Sequence, residues 1–441
     1  MHIVQKFAVA TIVALIGYSL AVPIVVHPGG VNDLAITSQD TLNATNPSRH
    51  GHKNSPASPG AAEALSVSVY NNFQSDSVNI YVTGLDSTGS IVCLTPSGSW
   101  YTPIGNGSLT VPQIITEEIA IPIGDYGTTT SFFLPSYVSA GRIWVADGDL
   151  TFYISLNSTG FLSLVEPSAV NPDDPSASVN WGIVELTTNS GGITVNLSYV
   201  DFVGLPLGIE VQGSNGTQTA LGVPADAVSS ICSALSAQAS SDGQPWDELC
   251  MTDSSGNLLR VMAPYDYISQ NSDAFASYWT RYVSQVWAKY ETTPLTIDTQ
   301  AAPGLVNCTA SNSTLACVGD NRAYAQPTAG DIFGCNTGPF AIEPTDNAVH
   351  RAVVPRLCAA FDRSTFFLKG GNIQPSLDSS YYYTTSPTNY YSKIVHQHEV
   401  DGKGYAFAYD DITPDDAPNA SGLLSDSNPS LLSITIGGPK S

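Results

Sequence analysis

From Leu65 onward, the chain alternates apolar and polar residues in short runs separated by turn residues, a pattern typical of half-buried β-strands. Six such runs occur before residue 160: LSVSVYNN, VNIYVTGLD, SIVCLTP, EIAIPIG, GRIWVADG and LTFYISL. The pattern returns after about residue 360 in RSTFFL, YYSKIVHQHEV, GYAFAYDD and LLSITIGG. Many short strands with frequent turns predict a β-sandwich or β-barrel.

The middle of the chain has a helical pattern instead. PADAVSSICSALSAQ repeats apolar residues at helical spacing behind an early proline. A second run, SDAFASYWTRYVSQVWAKY, has one apolar helical face, which consists of Phe275, Trp279, Tyr282, Val283, Val286 and Tyr290. The predicted fold class is mainly β with an α/β insertion. We expect the β part over about 63–205 and 360–441, and a mixed α/β part over about 206–359.

The first residues predict a secretory signal peptide over 1–21, because Lys6 precedes an apolar run and small residues follow it. Residues 22–62 lack periodicity and are rich in Ser, Asn, Pro and His, which indicates a flexible leader or propeptide. The remaining residues, 63–441, form the expected folded domain and contain no second run long enough to cross a bilayer. We therefore expect a secreted, extracellular protein, either in solution or associated with a cell wall.

Cysteines and glycosylation sequons agree with an oxidising compartment. The chain has seven cysteines, and proximity favours three pairs, Cys232 with Cys250, Cys308 with Cys317 and Cys335 with Cys358, which leaves Cys93 single. Sequence alone does not fix this connectivity. Asn-X-Ser/Thr sequons occur at Asn43, Asn106, Asn157, Asn196, Asn215, Asn307, Asn312 and Asn419.

The charge balance narrows the range of partners. The chain carries 15 Lys and Arg against 38 Asp and Glu, a formal net charge of -23. Nucleic acid and acidic lipid would be repelled by such a surface. A neutral polysaccharide is compatible with it, and we expect a monomer that binds neither nucleic acid nor membrane.

Two acids stand in the stretch WGIVELTTNSGGITVNLSYVDFVGLPLG, which reads as two apolar-patterned strands joined by a turn. With an odd loop over 190–192, Glu185 would lie opposite Leu197 and on the same face as Asp201; an even loop would separate the acids. Four residues along a strand span roughly 13 Å between α-carbons, which side-chain reach reduces. A carboxyl separation of about 6.5–9.5 Å is typical of inverting glycosidases. The spacing alone also fits two exposed acids on a hairpin.

Several motifs carry a resemblance to a known family. VNPDDPSASVNWGIVELTTNSGGITVNLSYVDFVGLPLGI is similar to the signature of glycoside hydrolase family 64, the thaumatin-like endo-β-1,3-glucanases. Four further stretches resemble the same family in the same order: GRIWVADG, QPTAGDIFGCNTGPFAI, RLCAAFDRSTF and YYSKIVHQHEVDGKGYAFAYDDITP. The resemblance covers roughly residues 65–436. It implies a thaumatin-like β-sandwich or barrel domain, a mixed α/β subdomain and a substrate groove between them.

The resemblance also implies roles for individual residues. It implies hydrolysis of β-1,3-glucan with inversion, Glu185 being the general acid and Asp201 the general base. Glu185 would have to remain protonated while Asp201 is ionised. Thr187 and Asn189 match polar positions that contact sugar, and Ser198 stands where a small hydroxyl is expected. The family requires no metal or other cofactor.

Further substrate contacts are expected near this hairpin. Trp181 is the best-placed tryptophan to stack on a glucosyl ring because of its closeness to Glu185. Asp410 and Asp411 are candidates to line the groove. Asn196 is a sequon inside the hairpin, where a glycan would crowd the groove, so we expect it to be unmodified.

Metal binding and other enzyme classes are less well supported. His396 and His398, with Glu399, have partial metal-ligand spacing but no clear third and fourth ligands, which favours packing or hydrogen bonding over metal binding. The chain has no Asp-Thr-Gly or Asp-Ser-Gly loop of an aspartic protease and no Gly-X-Ser-X-Gly elbow of a serine hydrolase. The alternative is a thaumatin-like glucan-binding protein without catalysis.

Overall fold

A computed structural model describes residues 64–105, 111–156, 161–418 and 420–439. The expected signal peptide and leader lie outside these residues, as do the sequons at Asn43, Asn106, Asn157 and Asn419. No helix within the described ranges has the length and apolar character needed to span a membrane.

The described ranges contain twenty-four strands and six α-helices. The strands are β1 (Leu65–Asn71), β2 (Val78–Leu85), β3 (Ile91–Leu94), β4 (Trp100–Tyr101), β5 (Gln113–Ile114), β6 (Ile121–Pro122), β7 (Thr129–Leu134), β8 (Ser139–Asp147), β9 (Tyr153–Leu156), β10 (Leu162–Val165), β11 (Asn180–Asn189), β12 (Gly192–Ser198), β13 (Phe202–Val203), β14 (Leu207–Gly213), β15 (Gly216–Ala220), β16 (Cys250–Thr252), β17 (Leu258–Met262), β18 (Leu295–Asp298), β19 (Leu305–Ser311), β20 (Thr314–Cys317), β21 (Tyr324–Ala325), β22 (Ile373–Gln374), β23 (Leu424–Asp426) and β24 (Pro429–Ile436). The helices are α1 (Ala227–Asp242), α2 (Pro264–Gln270), α3 (Thr280–Tyr290), α4 (Ala329–Gly334), α5 (Ala348–Asp362) and α6 (Tyr390–His398).

Two sheets form a β-sandwich, in agreement with the mainly β prediction. The five-stranded sheet has the order β15-β14-β24-β1-β7, and the eight-stranded sheet has the order β23-β12-β11-β8-β2-β3-β4 with β6 beside β2. Strand alternation directs one side of each sheet into a shared apolar core, as β1 and β12 illustrate by their alternating buried and half-buried residues. Within the five-stranded sheet, β24 pairs in parallel with β1 and antiparallel with β14.

The other side of the eight-stranded sheet carries a second, smaller apolar cluster. It contains Tyr81, Trp144 and Trp181 together with Phe152, which precedes β9. β5, β9 and β10 form a separate three-stranded sheet near this cluster. This side of the sheet, rather than the side that faces the main core, also carries the polar residues described below.

The α/β insertion lies between β15 and β23. The expected helical face of α3 is confirmed, because Tyr282, Val283, Val286 and Tyr290 are all buried. The β part extends to Ala220, because β14 and β15 belong to the five-stranded sheet, and helical structure continues beyond residue 360 as α6. The expected boundaries near 206 and 360 are therefore wrong.

Three of the four strands predicted near the C-terminus are also wrong. RSTFFL and GYAFAYDD form turns, and YYSKIVHQH is α6; the fourth run, LLSITIGG, contributes to β24. In α6, Tyr391, Ile394 and Val395 are buried at helical spacing, and the Asn389 side chain accepts a hydrogen bond from the Ser392 amide. This cap and spacing outweigh the strand preference of the aromatic and branched residues.

The structure contains the three disulfides that proximity favoured. They join Cys232 to Cys250, Cys308 to Cys317 and Cys335 to Cys358. Cys93 is buried and free. All three disulfides lie within the α/β insertion, between β15 and β23.

Candidate active site

β11 and β12 form the expected hairpin, but its register differs from the prediction by one residue. Asn189 pairs with Gly192, so the loop contains two residues, and Glu185 lies opposite Asn196 rather than Leu197. Gly192 has φ +116°, and a Cβ there would approach the carbonyl oxygen of Asp426 to 1.9 Å. A glycine is therefore required where the hairpin closes against β23.

The register places Glu185 on the polar side of the sheet. Directly opposed residues of an antiparallel pair share a face, so Glu185 shares its face with Asn196, and Thr187 shares that face with Thr194. The alternate residues of β11, such as Val184 and Leu186, point into the apolar core that the two sheets share. All four polar side chains are half-buried, unlike the buried residues that alternate with them.

Asp201 lies just beyond the end of β12. An even loop would put Glu185 and Asp201 on opposite faces if strand alternation continued, but β12 ends at Ser198 and the chain bends over the next residues. The Tyr199 amide donates to the Tyr405 carbonyl oxygen at 2.7 Å, and the Asp201 carbonyl oxygen accepts from the Ala263 amide at 2.7 Å. The direction of the half-buried Asp201 side chain therefore depends on this bend, and alternation does not decide it.

A buried tyrosine from α6 supports the same bend. The Tyr391 hydroxyl donates to the Tyr199 carbonyl oxygen at 2.6 Å. Burial first, and then the negative charge of Asp201, raise the pKa of Tyr391 well above its ordinary value. Tyr391 thus links the α/β insertion to the segment that carries Asp201.

Glu185 is held by an arginine and an amide. Its Oε1 lies 3.4 Å from Nη2 of Arg142, its Oε2 accepts from Nδ2 of Asn196 at 3.1 Å, and 15% of its side chain is exposed. Burial has the largest effect and raises the pKa of Glu185. The Arg142 charge and the Asn196 hydrogen bond lower this pKa, and the charge of Glu166 raises it, so the net direction is upward.

Sequence reasoning missed Arg142 and Glu166 as parts of this site. Nη1 of Arg142 forms an ion pair with Oε2 of Glu166, which follows β10, and both side chains are almost fully buried. An arginine inside the apolar run GRIWVADG was an available signal, because arginine is rarely buried without a partner. Nothing comparable marked Glu166.

The other polar positions of the hairpin are spread along it. Thr187 lies one position beyond Glu185 on the same face, and Ser198 pairs with Ile183 at the opposite end. Ser198 also forms a parallel bridge with Tyr405. Asn189 is exposed at the tip, where its side-chain oxygen accepts from the Gly191 amide at 2.7 Å.

The expected stacking role of Trp181 is wrong. Its ring is 1% exposed and lies within the smaller apolar cluster. The Phe202 ring approaches it edge-on with 5.4 Å between centroids, and the Arg260 guanidinium lies 4.0 Å from its centroid. The indole therefore fills the interior and offers no face to a sugar.

Asp410 and Asp411 are likewise buried, which is at odds with a direct sugar contact. Oδ1 of Asp410 lies 2.9 Å from Nη2 of Arg363, and its Oδ2 lies 2.8 Å from Nε2 of His396. Burial raises the pKa of Asp411 to about 7, although the nearby arginines oppose this. Nδ1 of His396 lies 2.8 Å from Glu399, so this histidine pairs with two carboxylates. We assign these groups to internal packing.

The model of a protein family described as β-1,3-glucanase, glycoside hydrolase family 64, matches residues 63–436. The chain belongs to this family. It therefore shares the family's mostly β fold with several sheets, and the resemblance drawn from the motifs is confirmed.

Two curated proteins are similar to this chain. They are glucan endo-1,3-β-glucosidases of Cellulosimicrobium cellulans and of Arthrobacter sp. strain YCWD3. Each is 28% identical over 306 residues, which are 67% of this chain and 52% of the relative. This chain spans about half the length of these curated relatives.

Solved structures from family 64 are also similar. A laminaripentaose-producing β-1,3-glucanase in complex with laminaritetraose superposes with a TM-score of 0.72 at 26% identity, covering 85% of this chain and 98% of that chain. A β-1,3-glucanase domain of Clostridium beijerinckii has a TM-score of 0.66 at 20% identity, covering 85% of this chain and 98% of that one. The latter likeness concerns the fold alone.

Proposed function

We propose that this family 64 member is an endo-β-1,3-glucanase that inverts the anomeric configuration, with Glu185 as general acid and Asp201 as general base. The observation that carries the proposal is the half-buried Glu185 carboxyl on the polar face of the β11–β12 hairpin, in a chain of this family. Two curated relatives are named glucan endo-1,3-β-glucosidases.

The proposed acid has the environment that its role requires. A general acid must hold its proton near the working pH and give it to the leaving glycosidic oxygen. Burial raises the pKa of Glu185, which favours the protonated carboxyl. The Asn196 amide, 3.1 Å from Oε2, restricts the carboxyl's orientation.

The proposed base acts on the opposite side of the glycosidic bond. In an inverting enzyme, an ionised carboxylate activates the attacking water. The two carboxyl groups are about 6.5–9.5 Å apart, which leaves room for that water. Asp201 lies in the bend supported by Tyr391 and Ala263, after a strand whose polar side carries Asn196 and Ser198. We propose that glucan crosses this polar side, with Thr187 and Ser198 as hydroxyl contacts and Asn189 at the outer end. A structurally similar β-1,3-glucanase was solved in complex with laminaritetraose, which supports β-1,3-glucan as the substrate proposed here.

Secretion is part of the same proposal. Three disulfides and a predicted signal peptide are compatible with an oxidising compartment. Among the described sequons, Asn215, Asn307 and Asn312 are exposed and would accept glycans without disturbing the core.

The test measures hydrolysis of a linear β-1,3-glucan with anomer-resolved NMR of fresh products. Wild type is expected to release α-anomeric oligosaccharides, and both Glu185→Gln and Asp201→Asn are expected to lose this activity. Glu210→Gln and Asp253→Asn are the matched controls, since Glu210 lies on β14 of the other sheet and Asp253 lies in the turn between β16 and β17. Both controls should hydrolyse glucan normally.

A binding protein without catalysis is the second candidate. It would retain the polar face, and the folded protein would bind insoluble glucan without releasing reducing ends. That result would refute hydrolysis. Fresh β-anomeric products would instead refute inversion while leaving hydrolysis intact.

A further inference from the structure

One row of side chains crosses the polar side of the eight-stranded sheet. The paired positions run from Cys93 on β3 through Thr83 on β2, Arg142 on β8 and Glu185 on β11 to Asn196 on β12. Directly opposed residues share a face, so each of these five side chains lies beside the next one across the sheet. Arg142, at the centre of the row, forms an ion pair with Glu185.

Arg142 joins two carboxylates unequally. Its Nη1 contacts Glu166 directly, whereas its Nη2 is 3.4 Å from Glu185, at the outer limit of a hydrogen bond. Its guanidinium carbon also lies 5.6 Å from the centroid of the Trp144 ring, which limits its movement. The arginine is therefore committed to Glu166 and only loosely associated with Glu185.

We propose that Glu166 is a positioning residue for the glucanase reaction, which binds the Arg142 guanidinium, neutralises its charge and thereby lets Glu185 keep the proton it donates. This inference rests on the proposed function, in which Glu185 is the general acid. Glu166 is 5% exposed and touches Arg142, so its role is indirect, and substrate contact is left to Glu185.

Electrostatics gives the direction of the effect. An arginine beside a carboxyl stabilises the ionised form and lowers its pKa. Burial raises the pKa of Glu185 most strongly, Arg142 lowers it, and Glu166 raises it. Without the Glu166 charge, the full positive charge of Arg142 would act on Glu185, which would then lose its proton at lower pH.

Tyr405 and Cys93 are further titratable groups that interact with the carboxylates of this site. From the loop after α6, Tyr405 lies beside Ser198, and the pKa of its hydroxyl is raised by burial first and then by Asp411, Asp410 and Glu185. Burial and Glu166 raise the pKa of Cys93 to about 12, so this thiol is neutral over the working pH range. Asn196 is uncharged, and the proposed base Asp201 lies beyond the end of β12.

The experiment compares pH profiles of kcat/KM on a soluble β-1,3-gluco-oligosaccharide. The alkaline limb of such a profile reports the general acid of the free enzyme. Glu166→Gln should move this limb to lower pH, so that kcat/KM falls about tenfold for each unit of displacement at a fixed alkaline pH. At acidic pH, where Glu185 is protonated in both proteins, Glu166→Gln should retain most of its activity.

Two further variants separate charge from folding. Glu166→Asp keeps the negative charge and should restore most of the wild-type limb. Arg142→Met removes the cation and should move the limb to higher pH, opposite to Glu166→Gln. Glu210→Gln, a glutamate on the other sheet, should leave the profile unchanged.

The outcomes distinguish this inference from the proposed function. An active Glu166→Gln enzyme with an unmoved alkaline limb would overturn the role of Glu166 and leave the glucanase proposal standing. If wild type shows no hydrolysis, the proposed function fails, and carboxyl ¹³C NMR of labelled glutamate, assigned with Glu185→Gln, still tests the charge relation. If Glu166→Gln does not fold, an unmoved limb in Arg142→Met would overturn the inference.

Discussion

Replacing Tyr391 by Phe would remove one buried hydroxyl that supports the bend before Asp201. Tyr391 is fully buried on α6, and its hydroxyl is 2.6 Å from the Tyr199 carbonyl oxygen. The substitution leaves the ring in place and deprives that carbonyl oxygen of this donor. We expect both a loss of stability and a separate loss of catalysis.

The expected magnitudes follow from these contacts. Leaving a buried polar group without its partner costs about 1–3 kcal/mol, so the free energy of unfolding should fall by about that amount. The bend also sets the position of Asp201, and displacing a catalytic group by about 1 Å costs up to about 100-fold in rate. We expect kcat to fall about 10- to 100-fold.

Tyr290→Phe is the matched control for this prediction. Tyr290 lies on α3, within the α/β insertion, and is also fully buried. Its hydroxyl donates to the Gly371 carbonyl oxygen at 3.0 Å. Urea unfolding should give a similar loss of stability for both variants, and glucan hydrolysis well below the unfolding midpoint should be reduced only in Tyr391→Phe. Normal kcat in Tyr391→Phe would refute the reasoning that the hydroxyl positions Asp201.

Three further predictions concern other parts of the molecule. Trp181→Ala should lower the free energy of unfolding by about 3–5 kcal/mol because the ring is buried, and loss of glucan binding at full stability would contradict this. Asn196 should carry no glycan in active enzyme because its amide donates to Glu185, which mass spectrometry of glycopeptides would check. Although burial raises the pKa of Asp426, hydrogen bonds from the Asn215, Asn428 and Ser214 amides and the Ser214 hydroxyl lower it overall. Its contribution to stability is thus present above the pKa of the unfolded chain and lost as pH falls, so urea unfolding should separate wild type from Asp426→Asn at neutral pH and less in acid.

Much of the β part could be predicted because alternation is strong where one face is buried. The alternating runs at β1, β2, β8 and β24 form strands as predicted, and the predicted apolar face of α3 is buried. α6 was mistaken for a strand because Tyr391, Ile394 and Val395 favour either structure. Their spacing and the capping Asn389 were the signals that decide for a helix.

The site was less predictable because it depends on register and on distant partners. The Asn-Ser-Gly-Gly turn admits loops of two or three residues, and the choice determines whether Glu185 faces Asn196 or Leu197. Burial of Trp181 depends on Phe202 and Arg260 packing on its ring, contacts that no local pattern reveals.

The central position of β24 in the five-stranded sheet has a consequence for biosynthesis. β24 lies between β14 and β1, so neither of those strands has its inner neighbour until the last strand of the sheet has left the ribosome. More than three hundred residues are synthesised after β1 before its parallel partner β24 is available for pairing. Such distant pairing slows folding and leaves two strand edges open to other chains meanwhile. Nascent chains shortened before Pro429 should therefore aggregate, and chaperones that cover strand edges should improve the yield of the complete protein.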